Sequence, residues 1–347
     1  MKNQRTKNVL LGLALGDALS WQSLFHRGYD LPFWTRRLRR EIDVESEDKG
    51  IIRLNLPFSL NTPVSAFKMS PTDDTEWAAF TASLLIEKEG YDYETNINAW
   101  KQLASSDDKI RGSVAVIGTL ANLKKGLNPP ESGNDNPHYF DDSAMTRAVV
   151  IGAFYAGKKD EACKFASVDA AITNALDGVW AAQSIASAVS TACVENDINK
   201  ITSSALEHIP ANSWLSLKVK VALKIVEKHK TIISALPVLY DEIIDHSYNY
   251  GTSAPDNLAL TLAIFQLCKG DITLGVTTAA SLAKTADSVP AFVGALCGAL
   301  QNEPFEEQWV KRFSNMKGIC IPSLKGKNFY NLADKLNIIA NEKNSNL

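Results

Sequence analysis

Two short clusters of oxygen-bearing side chains carry the chemistry this sequence could perform. Thr72-Asp73-Asp74-Thr75 lies in the first quarter of the chain and Asp287-Ser288 near its end. Each stands where a polar stretch gives way to apolar, helix-patterned sequence. Thr72, Asp73, Asp74, Asp287 and Ser288 offer hydroxyl and carboxylate oxygens, the donors that hard cations such as Mg²⁺ select. No cysteine pair has zinc-type spacing. One reading is therefore an oxygen-ligated cation site built from distant segments, with Asp73, Asp74 and Asp287 as its charged and catalytic members.

The other reading is structural. Asp73-x-x-Glu76 is also a capping box, an acidic N-cap with Glu three residues on. Asp287-Ser288 followed by Pro290 reads as a helix start, and Asp141-Asp142-Ser143 as a third acidic one. Gly16-Asp17 reads as a helix stop with a polar residue at the surface. A single cap needs one acceptor, whereas Thr72, Asp73 and Asp74 supply three in a row. Like charges crowded at a helix start raise one another's pKa unless a cation or the helix dipole compensates. His26, beside Arg27, is a candidate base or a surface residue, and Trp21, Phe25 and Trp34 could stack on a base or sugar or simply pack.

The elements that would position these groups read as helices. Lys7 to Leu19 is apolar on almost every side, as expected of a central buried helix. Thr75 to Lys88 places Trp77, Phe80 and Leu84 on one face. Ala175 to Cys193 is dense in Ala, Ser and Gly, which lets neighbouring helices approach closely. Helices are also expected over 215–227, 258–268, 272–283, 289–300 and 328–341. Strand signals are few, with one short candidate over 51–56. Two Pro-bearing irregular stretches, 27–71 and 126–142, are candidate binding loops. The expectation is all-α, one domain over 1–347.

Composition narrows the function classes. The 347 residues are 45% hydrophobic and 22% charged, with 36 basic and 39 acidic side chains and a net charge of −3. That balance gives no bulk attraction to nucleic acid or to an anionic membrane. The basic run Arg36 to Arg40 is followed at once by the acidic run Glu41 to Asp48, a self-neutralising surface. Cys163, Cys193, Cys268, Cys297 and Cys320 are scattered and odd in number, which reads as buried free thiols in a reducing, cytoplasmic compartment. No apolar run is long enough to span a bilayer.

Taken together, Leu15-Gly16-Asp17-Ala18-Leu19, Pro71-Thr72-Asp73-Asp74-Thr75, Asp142-Ser143-Ala144-Met145-Thr146-Arg147 and Asp287-Ser288 with Gly294 and Gly298 resemble the ADP-ribosylglycohydrolase family in order and rough spacing. The resemblance runs from Val9 to Leu300. It implies an all-helical fold with a pair of Mg²⁺ ions, replaceable by Mn²⁺, in a central cleft. It also implies hydrolysis of a glycosidic bond at the anomeric carbon of an ADP-ribosyl or related ribosyl substrate. By position, Thr72, Asp73, Asp74, Asp287 and Ser288 would be ligands. Asp142 and Ser143 would fall in the substrate loop, and Asp17 would match the supportive acid of the first helix.

The departures are specific. The family's last block reads Gly-Gly-Asp-x-Asp-Thr, and here it is Ala283-Lys284-Thr285-Ala286-Asp287-Ser288, so Thr285 replaces a carboxylate. Leu24 falls where the family carries a Glu, and Thr173-Asn174 stands for a Thr-His pair. Two carboxylates fewer should weaken at least the second ion. Three outcomes follow: a one-metal enzyme, an enzyme that uses Asp142 or His26 instead, or a protein that binds an ADP-ribose-like ligand without cleaving it. Discarding the resemblance leaves a helical partner-binding protein whose acidic clusters are caps.

Overall fold

The computed structural model describes residues 4–24, 48, 50, 70–247, 251–282 and 284–344, with 21–24 described through their backbone only. His26, Phe25, Trp34, the strand expected over 51–56 and almost all of the stretch 27–71 lie outside the described residues. Among those residues every regular element is helical, as expected. The extended pairings among them are two isolated bridges, Asp141 with Ser253 and Asn315 with Asn328. No helix among them is long and apolar enough to cross a membrane.

Seven helices build or brace the site: α1 (Arg5–Leu24), α2 (Asp73–Lys88), α3 (Ser143–Phe154), α4 (Asp177–Ala192), α5 (Ala254–Cys268), α6 (Val289–Ala299) and α7 (Phe329–Asn344). α1 is the central helix that its all-round apolar character predicts: Val9, Leu10, Leu13, Ala14 and Ala18 are buried. It packs along its length on α6, backbone against backbone. A Cβ on Gly12 would sit 2.0 Å from the Gly294 carbonyl oxygen, one on Gly16 2.0 Å from that of Pro290, and one on Gly298 2.3 Å from that of Asn8. These glycines are spacers, and Gly16 is not a helix stop, since α1 continues to Leu24. The crossing holds the Asp17 turn of α1 against the start of α6.

The small-residue helix does what its composition suggests. α4 packs on α3 so closely that a Cβ on Gly152 would lie 2.6 Å from the Ala186 carbonyl oxygen. α2 lies against α1, α3 and α7. Its buried side includes Trp77, Ala78, Ala82 and Leu85, while Phe80 and Leu84 are half-buried. The core face is thus rotated from the Trp77-Phe80-Leu84 stripe. Trp77 stacks on Trp100 with centroids 5.1 Å apart, and the fully buried Arg147 lies over Trp100 while pairing with Asp169 at 2.6 Å. All five cysteines are free and buried, as expected.

Candidate metal centre

The starts of α2, α3 and α6 meet, and their cap residues decide between the two readings of the acidic clusters. Elsewhere caps are used in the ordinary way: Asp92, Ser113, Asp197, Ser213, Thr231 and Asp271 each accept a backbone N–H two or three residues on. At Thr72, Asp142 and Ser288, the cap positions of α2, α3 and α6, no side chain caps its own helix. Thr72 donates its hydroxyl to Asp17, and the Ser288 hydroxyl lies beside the Asp142 carboxylate and favours its charged form. Capping therefore does not account for these residues.

Asp17 organises the first turn of α2. One carboxylate oxygen accepts the Thr72 hydroxyl; the other accepts the Thr72 N–H at 2.7 Å, the Thr75 N–H at 3.1 Å and the Thr75 hydroxyl at 2.5 Å. Burial, then the charge of Asp73, pushes the Asp17 carboxyl up to about 7 against the pull of those donors. Asp17, Asp73 and Asp74 each place a carboxylate oxygen within 4.8 Å of the others, and they form such a group among the described residues.

Asp73 is half-buried; burial raises its pKa while backbone N–H groups at the helix start hold it down. Asp74 is buried, and burial followed by the charges of Asp73, Asp17 and Asp142 raises its carboxyl well above the ordinary value. Its Oδ1 accepts the Thr146 hydroxyl from α3, and its Oδ2 is buried without a hydrogen-bond partner. An orphaned buried carboxylate oxygen beside two other carboxylates is costly unless protons or a cation neutralise them.

Glu76 does not close a capping box. Its carboxylate reaches across to the backbone N–H groups of Ile319, Cys320 and Ile321 at 2.8, 2.8 and 3.0 Å. The C-terminal segment is thereby clamped to the first turn of α2, and neither spacing nor composition signals this.

The α3 start is held by a zipper. The Asp142 N–H donates to the Thr252 carbonyl at 2.8 Å and the Ala254 N–H to the Phe140 carbonyl at 3.0 Å. Asp141 accepts the N–H and hydroxyl of Ser143 at 3.0 and 2.7 Å, so Asp141 is the group that serves the helix start. Asp142 instead accepts Asn257 Nδ2 from α5 at 2.6 Å; burial and then the charge of Asp141 raise its carboxyl well above the ordinary range. Asn257 is a participant that the sequence reading missed, although a polar residue buried in the apolar text of α5 is the kind of signal that marks one.

A sequence model of the family described as ADP-ribosylglycohydrolase matches residues 2–345. The chain belongs to the ADP-ribosylglycohydrolase family. Forty-six chains of solved structure match as well. One, described as an ADP-ribosylglycohydrolase-related protein complex, aligns over 98% of this chain and 99% of its own with a TM-score of 0.61 at 17% identity, which speaks for the fold alone. No curated protein sequence matches.

Within this family member, the second motif block meets Asp17 of the first through Thr72 and Thr75 and meets the third through Asp74 and Thr146, and Ser288 of the last lies beside Asp142 of the third. Asp287 is half-buried in the turn before α6, outside the Asp17-Asp73-Asp74 group. The Ser143 hydroxyl is engaged by Asp141 and by Asn174 Oδ1 at 3.2 Å, which fixes the α3 start. Thr285 is buried and its hydroxyl donates to the Leu282 carbonyl at 3.3 Å, within its own turn. Asn174, where the family carries His, donates to Asp141 and to the Tyr139 and Asp141 carbonyls. Leu24 lies at the end of α1, and its side chain is outside the described ones.

Proposed function

We propose that this protein is a divalent-cation-dependent glycohydrolase that cleaves the glycosidic bond of an ADP-ribosyl or related ribosyl substrate. One observation carries the reading: in a chain of this family, the cap side chains of three helices do not cap, and Asp17, Asp73 and Asp74 gather their carboxylates at the start of one of those helices. The residues fit a hard cation, because the donors are all oxygen and Asp74 Oδ2 is a buried acceptor with nothing to accept from. Thr72, Asp73, Asp74, Asp287 and Ser288 would hold Mg²⁺, or Mn²⁺ in its place.

A bound cation would hold ribose hydroxyls and lower the pKa of a water. The protein's own groups supply the rest. Cleavage at the anomeric carbon builds oxocarbenium character on the ribose, and the carboxylates of Asp73, Asp74 and Asp287 would stabilise that charge. Asp17 braces the α2 turn through its four donors, so the ligand oxygens keep their positions. The charge of Asp142 bears on Asp74, and Ser143 fixes the loop that carries Asp142. The converging helix N-termini would favour a diphosphate.

The test is release of ADP-ribose, or of the free leaving group, from a panel of protein-linked ADP-ribose, nucleotide sugars and nucleosides. Turnover with Mg²⁺ or Mn²⁺ that disappears with chelator and in Asp73→Asn and Asp74→Asn is the expected result. Turnover of every accepted substrate unchanged in those variants would overturn it. The Thr285 hydroxyl, bonded within its own turn where the family carries a carboxylate, favours a second reading, a protein that binds the ligand without cleaving it; ligand binding with no product under any divalent cation would decide for that.

A further inference from the structure

We propose that Asp142 is itself a ligand of the cation, so that the site of this chain is closed from the α3 side by a carboxylate between Asp74 and Ser288. The inference rests on the cation reading above and gives Asp142, a residue of the substrate loop and a candidate substitute acid, a defined role as ligand.

The geometry argues in three steps. First, Asp142 is free of the structural task its position implies. It occupies the α3 cap, yet Asp141 accepts the Ser143 N–H there, and the Asp142 side chain caps no backbone N–H of α3, although its carbonyl accepts the Met145 N–H. Second, Asp142 and Thr146 are four residues apart and share one face of the helix start. The Thr146 hydroxyl is bonded to Asp74 Oδ1, so that face of α3 is turned to Asp74, and the charge of Asp142 bears on Asp74. Third, the Asp142 carboxylate is buried and accepts the neutral Asn257 amide at 2.6 Å, with the neutral Ser288 hydroxyl beside it, while the charges of Asp141 and Asp73 bear on it unfavourably.

A buried carboxylate with neutral donors and acidic neighbours is neutralised by a proton or by a positive partner. The unpartnered Asp74 Oδ2 has the same need. One hard cation between them satisfies both, with Asn257 and Ser288 holding Asp142 in orientation as outer partners do in metal sites. Thr285, bonded to its own turn, leaves this role to Asp142.

The experiment is titration of free Mn²⁺, followed by electron paramagnetic resonance, with the full chain and its Asp142→Asn, Asp74→Asn and Glu307→Gln variants. The expected result is Mn²⁺ affinity weakened by about tenfold or more in Asp142→Asn, lost in Asp74→Asn and unchanged in Glu307→Gln. The metal-free melting temperature of Asp142→Asn is expected to be at or above that of the parent, because the change removes a buried charge. Parent-like affinity in Asp142→Asn with loss in Asp74→Asn would overturn the inference and leave the cation reading standing. Parent-like affinity in both would overturn the two together. A crystal of the unaltered protein soaked in Mn²⁺ reads the same question without a variant. An ion at about 2.1 Å from an Asp142 oxygen is the result expected; an ion on Asp73 and Asp74 with Asp142 out of reach would contradict the proposal.

Discussion

The hydroxyl of Thr146 donates to Oδ1 of Asp74, and this bond decides which oxygen of the aspartate is left over. With Oδ1 engaged from α3, Oδ2 is the buried, unpartnered atom. The site is therefore not a loose group of acids on one helix. Its geometry depends on how α3 is pressed against α2, and on α1 and α6 behind them.

Thr146→Val removes that donor while keeping the side-chain shape. Mn²⁺ affinity should fall about 10- to 100-fold, the usual cost of losing an outer partner of a ligand, and the metal-free protein should lose about 1–3 kcal/mol of stability, because the buried Asp74 carboxylate is left without its donor. Unaltered affinity in a calorimetric titration would show that the Asp74 orientation does not matter.

Gly16→Ala tests the α1–α6 crossing. The added methyl would meet the Pro290 carbonyl oxygen at 2.0 Å, and two backbones would have to separate. Denaturant unfolding should show a loss of about 1–3 kcal/mol, the typical cost of overpacking, where an ordinary helical Gly→Ala change would stabilise. Cation affinity should fall as well, because Asp17 is the next residue. A variant as stable as the parent would contradict the packing account.

Glu76→Ala leaves three backbone N–H groups of residues 319–321 without their acceptor. A loss of about 3 kcal/mol or more is expected, with faster hydrogen exchange confined first to 319–321. Glu76→Gln should recover part of it, since an amide oxygen still accepts. Exchange at 319–321 as slow in Glu76→Ala as in the parent would show that the clamp contributes nothing.

Stability in the absence of metal should depend on pH in an unusual direction. Burial and mutual repulsion push Asp17 up to about 7 and raise Asp73 and Asp74. An unfolded chain titrates these groups near about 3.9. Between those values the folded protein holds protons that the unfolded chain has released, so stability falls as pH rises. The metal-free melting temperature should be higher at pH 5 than at pH 7.5. Because protons compete with the cation for the same oxygens, Mn²⁺ should raise melting more at pH 7.5 than at pH 5. A metal-free melting temperature that climbs from pH 5 to 7.5 would contradict the assignment.

Much of this was legible in the sequence wherever the signal was local. The all-round apolar text of α1, the small-residue face of α4 and the consecutive Thr72-Asp73-Asp74 oxygens each state their role within a few residues. What failed was information held by distant partners. Gly16 looks like a helix stop until the backbone of α6 is laid against it. Glu76 has the spacing of a capping box, yet its acceptors serve N–H groups more than 240 residues away. The α2 stripe was misplaced because the helix is covered by α1, α3 and α7 rather than by one neighbour, so small Ala78 and Ala82 face the core while Leu84 is half-buried. Asn257 drew no notice because its partner Asp142 lies 115 residues earlier.

The central claim is a cation site that takes an ADP-ribosyl ligand, and calorimetric titration of ADP-ribose tests it most directly. With Mg²⁺ or Mn²⁺ present, binding is predicted, and it should weaken by about tenfold or more after chelation and in Asp74→Asn. Binding that ignores both the chelator and Asp74→Asn, or no binding at millimolar ADP-ribose and cation, would contradict the account.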